Sequence, residues 1–157
     1  MKLIMKQKIV SWFDSYNVYD ENDNVVFIVK GKFAWGHKFV IYDSNGNELG
    51  CIKEKILSWL STFEIYRDNK KIGQIKRELT LFKPKYIFEL GNYEIVGNIW
   101  ELKYQIKKNG VVVASVNKKL LSWTDTYSIE TNAEDAFNVL LITLAIDADK
   151  CVNATFD

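Results

Sequence analysis

The sequence predicts a mostly β protein: a closed antiparallel barrel of about twelve strands, built from hairpin repeats and enclosing a C-terminal hydrophobic α-helix. Three observations predict it. The string KIVSW at Lys8 recurs as KILSW at Lys55 and KLLSW at Lys119, with weaker copies KFAW at Lys32 and ELTLF at Glu78, and neighbouring copies in the first half stand 23 to 24 residues apart. A fixed period marks one structural unit copied along the chain. Each copy is followed by a second short apolar run and a turn rich in Asn, Asp and Gly, so the unit is a β-hairpin. Last, residues 139–146 are apolar except for Thr143 and follow helix-start signals.

At 157 residues the chain fits one domain, with strands over about 3–130 and a central helix over about 132–151. Hydrophobic residues make up 48% and aromatics 14%, and proline occurs once, at Pro84, a composition that is globular and favours strands. About ten to twelve strands exceed what a twisted open sheet holds without curling, and closure also removes exposed edges.

The elements follow in order. Loose turns are expected at residues 21–24, 68–70 and 91–92, and Asn45-Gly46, after the apolar stretch 39–42, is expected to form a type I′ turn. Lys8 and Trp12 are four residues apart but Lys32 and Trp35 only three; because side chains alternate faces along a strand, the lost residue predicts a bulge or bend near residues 31–36. The clearest strand is expected to begin at Trp100, where Trp100, Leu102, Tyr104 and Ile106 alternate with Glu101, Lys103, Gln105 and Lys107. Asn109-Gly110 then tolerates the two positive φ angles of a type I′ turn, and residues 111–116 return as the partner. Thr131 and Glu134 have the spacing of a capping box, with Asp135 in the first turn, so the helix is expected to start near Asn132. The eight residues 139–146 exceed two turns, leaving every side greasy apart from Thr143, whose hydroxyl is expected to bond back to the carbonyl one turn earlier. A helix of that kind is buried, and a barrel wide enough to be plugged by it is the economical way to bury it.

The repeated KxKΦxSΩ strings, the opening MKQKIVSWFDSYNVYDENDN, the segment KFAWGHKFVIYDSNGNE and the apolar C-terminal helix resemble the LURP-one-related family, over nearly the whole chain and in a compact bacterial form. The resemblance implies the tubby C-terminal-like fold, a barrel of about twelve strands around a central hydrophobic helix. Tubby proteins and phospholipid scramblases share that fold group, the former binding phosphoinositides and the latter acting at membranes. That is likeness of fold and not of site.

Charge and cysteine content limit the function classes. Twenty-one basic residues against twenty acidic ones give a net charge of +1, which removes the footprint of a dedicated nucleic-acid binder. Cys51 and Cys151 show no CxxC spacing and suit a reducing cytoplasm with both thiols free, one bridge between them being the alternative. The opening MKLIMKQK is not followed by an apolar stretch, and residues 139–146 fall short of the roughly 20 that cross a bilayer, so a soluble protein, at most peripheral at a membrane, is expected.

His37 is the single histidine, and pairing it with Ser11, Ser58 or Ser122 would make a nucleophile. Those serines recur because the repeat recurs, so the sequence assigns no catalytic residue; one His and two distant Cys likewise assign no metal site and no cofactor. Asp43 and Asp68 read as turn formers, and GNELG at residues 46–50 lacks the strand-to-helix context of a phosphate loop. The lysines carry the functional content. Lys6 and Lys8, Lys30 and Lys32, and Lys53 and Lys55 are spaced two apart on successive repeats, with Lys76-Arg77 and Lys118-Lys119 at corresponding places. If equivalent strand ends gather at one rim, these ten residues form a basic arc for an anionic phospholipid headgroup or other phosphorylated ligand, away from the acidic turns at 20–23 and 43–48. The competing reading is a solvated face that discourages edge pairing. Trp12, Trp35, Trp59 and Trp123 are expected to pack in the core unless exposed. The leading expectation is therefore a non-enzymatic cytoplasmic binding or scaffold module for anionic surfaces or for other proteins, without specific nucleic-acid binding. The alternatives are a small-ligand carrier using a barrel cavity, which needs the helix to leave space, and an enzyme, for which no constellation is present.

Overall fold

The computed structural model describes residues 1–8, 14–32, 34–81, 84–101, 103–120 and 124–153, without the side chains of Leu120 and of 150–153. Among them are twelve strands and one helix: β1 (Lys2–Gln7), β2 (Tyr16–Tyr19), β3 (Val25–Gly31), β4 (Lys38–Asp43), β5 (Glu48–Glu54), β6 (Thr62–Arg67), β7 (Lys70–Glu78), β8 (Lys85–Phe88), β9 (Tyr93–Asn98), β10 (Lys103–Lys108), β11 (Val111–Leu120), β12 (Asp125–Thr131) and α1 (Ala136–Asn153). All pair antiparallel in the order β8-β7-β6-β5-β4-β3-β2-β1-β12-β11-β10-β9. β1 joins the first and last hairpins through Leu3↔Ile129 and Met5↔Tyr127. The expected closure is incomplete: β8 and β9 are the two ends of the sheet and stand side by side without a ladder. β8 has four residues, and Gly91 at φ 143°, a conformation suited to glycine, bends the chain away before β9 can pair with it.

Each strand sends alternate side chains inward. Leu3 and Met5, Tyr16 and Val18, Phe63 and Ile65, Tyr104 and Ile106, and Tyr127 and Ile129 are buried, and they converge on α1, where every residue from 139 to 145 is 0% exposed. The helix is the core of the barrel, and its 18 residues begin four residues later than the expected start near Asn132. The Thr143 hydroxyl donates to the Val139 carbonyl at 2.8 Å, as expected. The expected capping box is displaced. Thr131 ends β12 and its hydroxyl donates to the Val113 carbonyl, while the Asn132 side chain accepts the Asp135 N–H at 2.8 Å and donates to the Asp135 carboxylate at 3.0 Å. Asn132 thus caps the turn at 133–135, and the regular helix follows from Ala136, with the Val139 N–H donating to the Asp135 carbonyl at 2.9 Å.

The hairpin turns show what sets the repeat. Asp20 and Asp43 each accept two backbone N–H groups and an Asn side chain, from Asn22 and Asn24 in one case and from Asn45 and Asn47 in the other. Positive φ falls on Asp23 and on Gly46, not on Asn45, so Asn45-Gly46 closes a longer turn than the expected type I′. Arg67 and Lys70 face each other across Asp68 and Asn69, both at positive φ, as Lys108 and Val111 do across Asn109-Gly110; those are the two-residue turns. Beside each of these four turns the register slips by one residue, leaving Val26, Leu49, Ile72 and Val113 as extra residues on the returning strand. The first three bulges repeat at the period of the sequence. The irregularity expected near residues 31–36 is not a bulge, since β3 and β4 pair without a slip; a bend at residues 34–36 with Gly36 at φ 86° absorbs the missing residue in the connection. The strand expected from Trp100 starts at Lys103: Trp100 and Glu101 lie in the turn before it, Leu102 is outside the described residues, and only Tyr104 and Ile106 of the alternating set are buried core residues.

Candidate functional site

In an antiparallel meander alternate connections lie at the same end. Odd-numbered strands therefore end, and even-numbered strands begin, at one rim, which carries KILSW in the β5–β6 connection; the Asp/Asn turns and the start of α1 lie at the other. Hydrogen bonds from Asn24 hold the Asp20 carboxyl below its usual pKa, and those from Asn47 do the same for Asp43, so that the acidic rim stays ionised.

The lysines divide between two faces. Lys6, Lys8, Lys30, Lys32, Lys53, Lys55, Lys76 and Lys119 are exposed at the ends of the odd strands or just beyond. Lys6 and Lys30 lie over the rings of Tyr19 and Tyr42, with Nζ 5.0 and 4.9 Å from the centroids. Arg77 and Lys118 point the other way, because neighbours along a strand face opposite sides. Arg77 meets Asp149 at 3.3 Å, and Lys118, with 8% of its side chain exposed, meets Asp125 at 2.5 Å and Asp147 at 2.8 Å. These two belong to the interior and not to an outer arc. In their place the fold supplies cations at the starts of even strands that sequence reading passed over. The Lys32 N–H donates to the Lys38 carbonyl, and Lys38 lies directly opposite Lys53, so three lysines form a row across β3, β4 and β5. Among the described residues none of the three forms an ion pair. Lys85 and Lys103 stand at the starts of β8 and β10, Lys85 bound to Glu78 at 2.8 Å. The signal was available: each is the first lysine after a rim connection.

Trp35 and Trp59 overturn the expectation of core packing. Trp35 is 83% exposed and Trp59 97%, and Trp12 and Trp123, with Ser11 and Ser122, lie outside the described residues. KILSW starts one residue after β5 ends, so its side chains are in a connection and have no inner face to turn to. Leu57 at 97% and Leu81 at 92% share this rim, as do Leu79 and Trp100. The connections are nonetheless anchored. Ser58 and Thr62 hydroxyls bond at 2.9 Å, and the Thr62 hydroxyl donates to the Leu60 carbonyl; Ser58 thus lies in the connection and not at a strand end. Both the N–H and Nδ1 of His37 contact Glu54 Oε2, at 2.9 and 2.8 Å. The bond to Glu54 raises the imidazole pKa against the opposing effect of burial, which favours a charged pair joining the β3–β4 connection to β5.

Beneath this rim the C-terminal half of α1 supplies two buried carboxylates. Asp147 accepts from the hydroxyls of Tyr16, at 2.7 Å, and Tyr127, and from Lys118; Asp149 accepts from Tyr86 at 2.6 Å and from Arg77. Burial, reinforced by these carboxylates, pushes the Tyr127 and Tyr86 phenols far above their usual range. Burial also opposes the Lys118 charge, but Asp147 and Asp125 outweigh it and raise the ammonium pKa. At the other end Asp135 receives Lys108 at 2.7 Å and the Tyr93 hydroxyl at 3.0 Å. Buried charges survive only when paired, so two aspartates in an apolar helix were the sequence signal that went unread. These bonds tie strand ends beside the first, fourth and last rim connections to the central helix.

The helix fills the lumen that a ligand carrier would use. An apolar cavity of about 480 Å³ lies instead at the seam between β8 and β9, lined by Leu81, Pro84, Ile95, Ile99 and Trp100. Cys51 is a half-buried free thiol whose pKa burial raises, and the Cys151 side chain is outside the described ones. Among the described residues no helix is long and apolar enough to cross a membrane, and no three His, Cys, Asp or Glu side chains gather as metal ligands.

Comparison with known proteins places the chain beside a described family, a bacterial relative and a solved plant structure. A family model described as LURP-one-related matches residues 1–147. The uncharacterized protein YxjI of Bacillus subtilis (strain 168) is 34% identical over 144 residues, which cover 91% of this chain and 88% of that protein. The X-ray structure of an Arabidopsis thaliana protein superposes with a TM-score of 0.60 at 18% identity, covering 93% of this chain and 90% of that one, a likeness of fold alone.

Proposed function

The chain belongs to the LURP-one-related family, and from that premise we propose that it is a non-enzymatic binding or scaffold module that recognises clustered phosphate, foremost the headgroups of anionic phospholipids, through the basic rim of its barrel. Its twelve strands around one C-terminal helix form the tubby C-terminal-like architecture that the sequence resemblance implied. The observation that carries the reading is the row Lys32, Lys38 and Lys53 on neighbouring strands, with no carboxylate paired to it among the described residues. Three ammonium groups side by side repel one another, at a cost to the fold that an external anion relieves. Lys6, Lys8, Lys30, Lys55, Lys76 and Lys119 extend the cationic field around the rim. A cytoplasmic protein acting peripherally at the inner leaflet fits that chemistry, because that leaflet carries the anionic lipids.

Sedimentation with vesicles containing phosphatidylserine, at two salt concentrations, tests the reading. Binding is expected to fall steeply with salt, since screening at physiological ionic strength acts over about 8 Å, and to drop further when Lys30, Lys32, Lys53 and Lys55 are changed together to Gln. Inorganic tripolyphosphate separates the two sources of phosphate: a soluble ligand displaces the protein from vesicles at micromolar concentration, and a headgroup array is displaced only by bulk ionic strength. If wild-type protein ignores anionic vesicles and tripolyphosphate at low salt, the lysines are a solvated face and nothing more. In this reading His37 and the serines of the repeat carry no chemistry.

A further inference from the structure

The same rim that carries the lysines carries the largest exposed apolar side chains among the described residues. Leu57 and Trp59 project from the β5–β6 connection, Trp35 from β3–β4, Leu79 and Leu81 from β7–β8 and Trp100 from β9–β10. Soluble domains seldom leave so many large apolar groups in water together, and such concentrations mark surfaces with a partner. They are held in place and not merely unpacked: the Ser58–Thr62 and His37–Glu54 bonds anchor two of the connections, and Arg77–Asp149 fixes the strand before a third.

The order of chemistry along the barrel axis identifies the partner. Apolar tips come first, in the connections; the lysines follow at the strand ends, a residue or a few behind; and the acidic turns at Asp20 and Asp43 lie at the far end of the strands. An anionic bilayer presents the complementary order, with acyl chains deepest, then phosphates, then water, and Trp and Leu over a basic collar are the residues that settle in such an interface. Several separate tips around one barrel end also suit a planar partner that all of them meet at once. We propose that this rim is a membrane-docking face that inserts Leu57 and Trp59, flanked by Trp35 and Leu81, into the interface of an anionic bilayer. The proposal rests on the polyanion reading for recruitment and adds insertion to it.

The test uses the full chain with phosphatidylcholine vesicles containing phosphatidylserine and acyl chains brominated near the headgroup. Tryptophan emission is expected to shift to the blue and to be quenched by bromine on binding. Leu57→Ser with Trp59→Ser is expected to weaken binding by about tenfold or more and to remove most of the quenching. Both side chains are almost fully exposed, so the thermal midpoint should not move; Trp35→Ser with Leu81→Ser on other connections serves as the second variant. Salt-sensitive binding without quenching, unaffected by either double variant, would overturn insertion and leave the charge reading standing. Loss of binding in the double variants with no effect of the four-lysine change would do the reverse. A dimer of the wild-type chain that becomes monomeric on Leu57→Ser with Trp59→Ser, without vesicle binding, would assign the face to a second copy and overturn the proposal.

Discussion

Asp147 shows how a single side chain comes to hold two parts of this molecule together. It is 6% exposed, and Tyr16, Tyr127 and Lys118 converge on its carboxylate from three strands. Removing one partner of a buried pair strands the other, so Asp147→Ala is expected to cost roughly 3–5 kcal/mol. Changing Lys118 to Met in the same chain should restore part of that loss, because the uncompensated ammonium disappears with it; a coupling of about 0.5–3 kcal/mol between the two sites is expected in urea titrations of both single variants and the double. Additive losses would mean that the pair is not coupled. Part of this was legible in the sequence. In the pairs Lys76-Arg77 and Lys118-Lys119 one member of each must turn inward, since strand neighbours face opposite sides. What the inner member meets was not legible, because Asp147 and Asp149 lie 29 and 72 residues away from Lys118 and Arg77 and only the closure of the barrel brings them within reach.

Among the elements, the helix was the most readable and its start the least. A run of apolar residues longer than two turns has no polar side to give to solvent, so burial follows from composition alone. Leu141 is fully buried at the middle of that run. Its replacement by Ala is expected to cost roughly 2–5 kcal/mol, read from equilibrium unfolding, because the surrounding strands cannot collapse into the space left behind. A loss below about 1 kcal/mol would show the helix to be loosely held. The cap was misread by one residue because Thr131-Glu134 and Asn132-Asp135 have the same spacing, and the choice between them depends on where β12 stops pairing with β11. The bulges were hidden for a related reason. Val26, Leu49 and Ile72 are ordinary strand residues whose extra place in the ladder arises from the turn beside them.

For the molecule as a whole, the helix and the barrel depend on each other. Leu3, Val18, Ile65 and Ile106 reach full burial with a filled lumen and would line an empty one without it. A chain ending at residue 131 is therefore expected to lose cooperative unfolding in both circular dichroism and tryptophan fluorescence, since roughly 5–15 kcal/mol of stability cannot absorb the loss of the core. A soluble truncated chain with a sharp transition would show that the strands close on their own. What the sequence determined by itself was the count and the kind: the period of 23 to 24 residues sets a hairpin meander, alternation sets which strand residues face in, and the greasy helix sets what fills the centre. These follow from local periodicity, which needs no partner to be read. Only the tertiary structure decided that KILSW lies in a connection, that Trp35 and Trp59 stand in solvent, that Lys38 joins Lys32 and Lys53, and that β8 and β9 leave a seam. A connection has no period to show its inner face, and a row across strands is set by register, which the chain acquires only when the sheet forms.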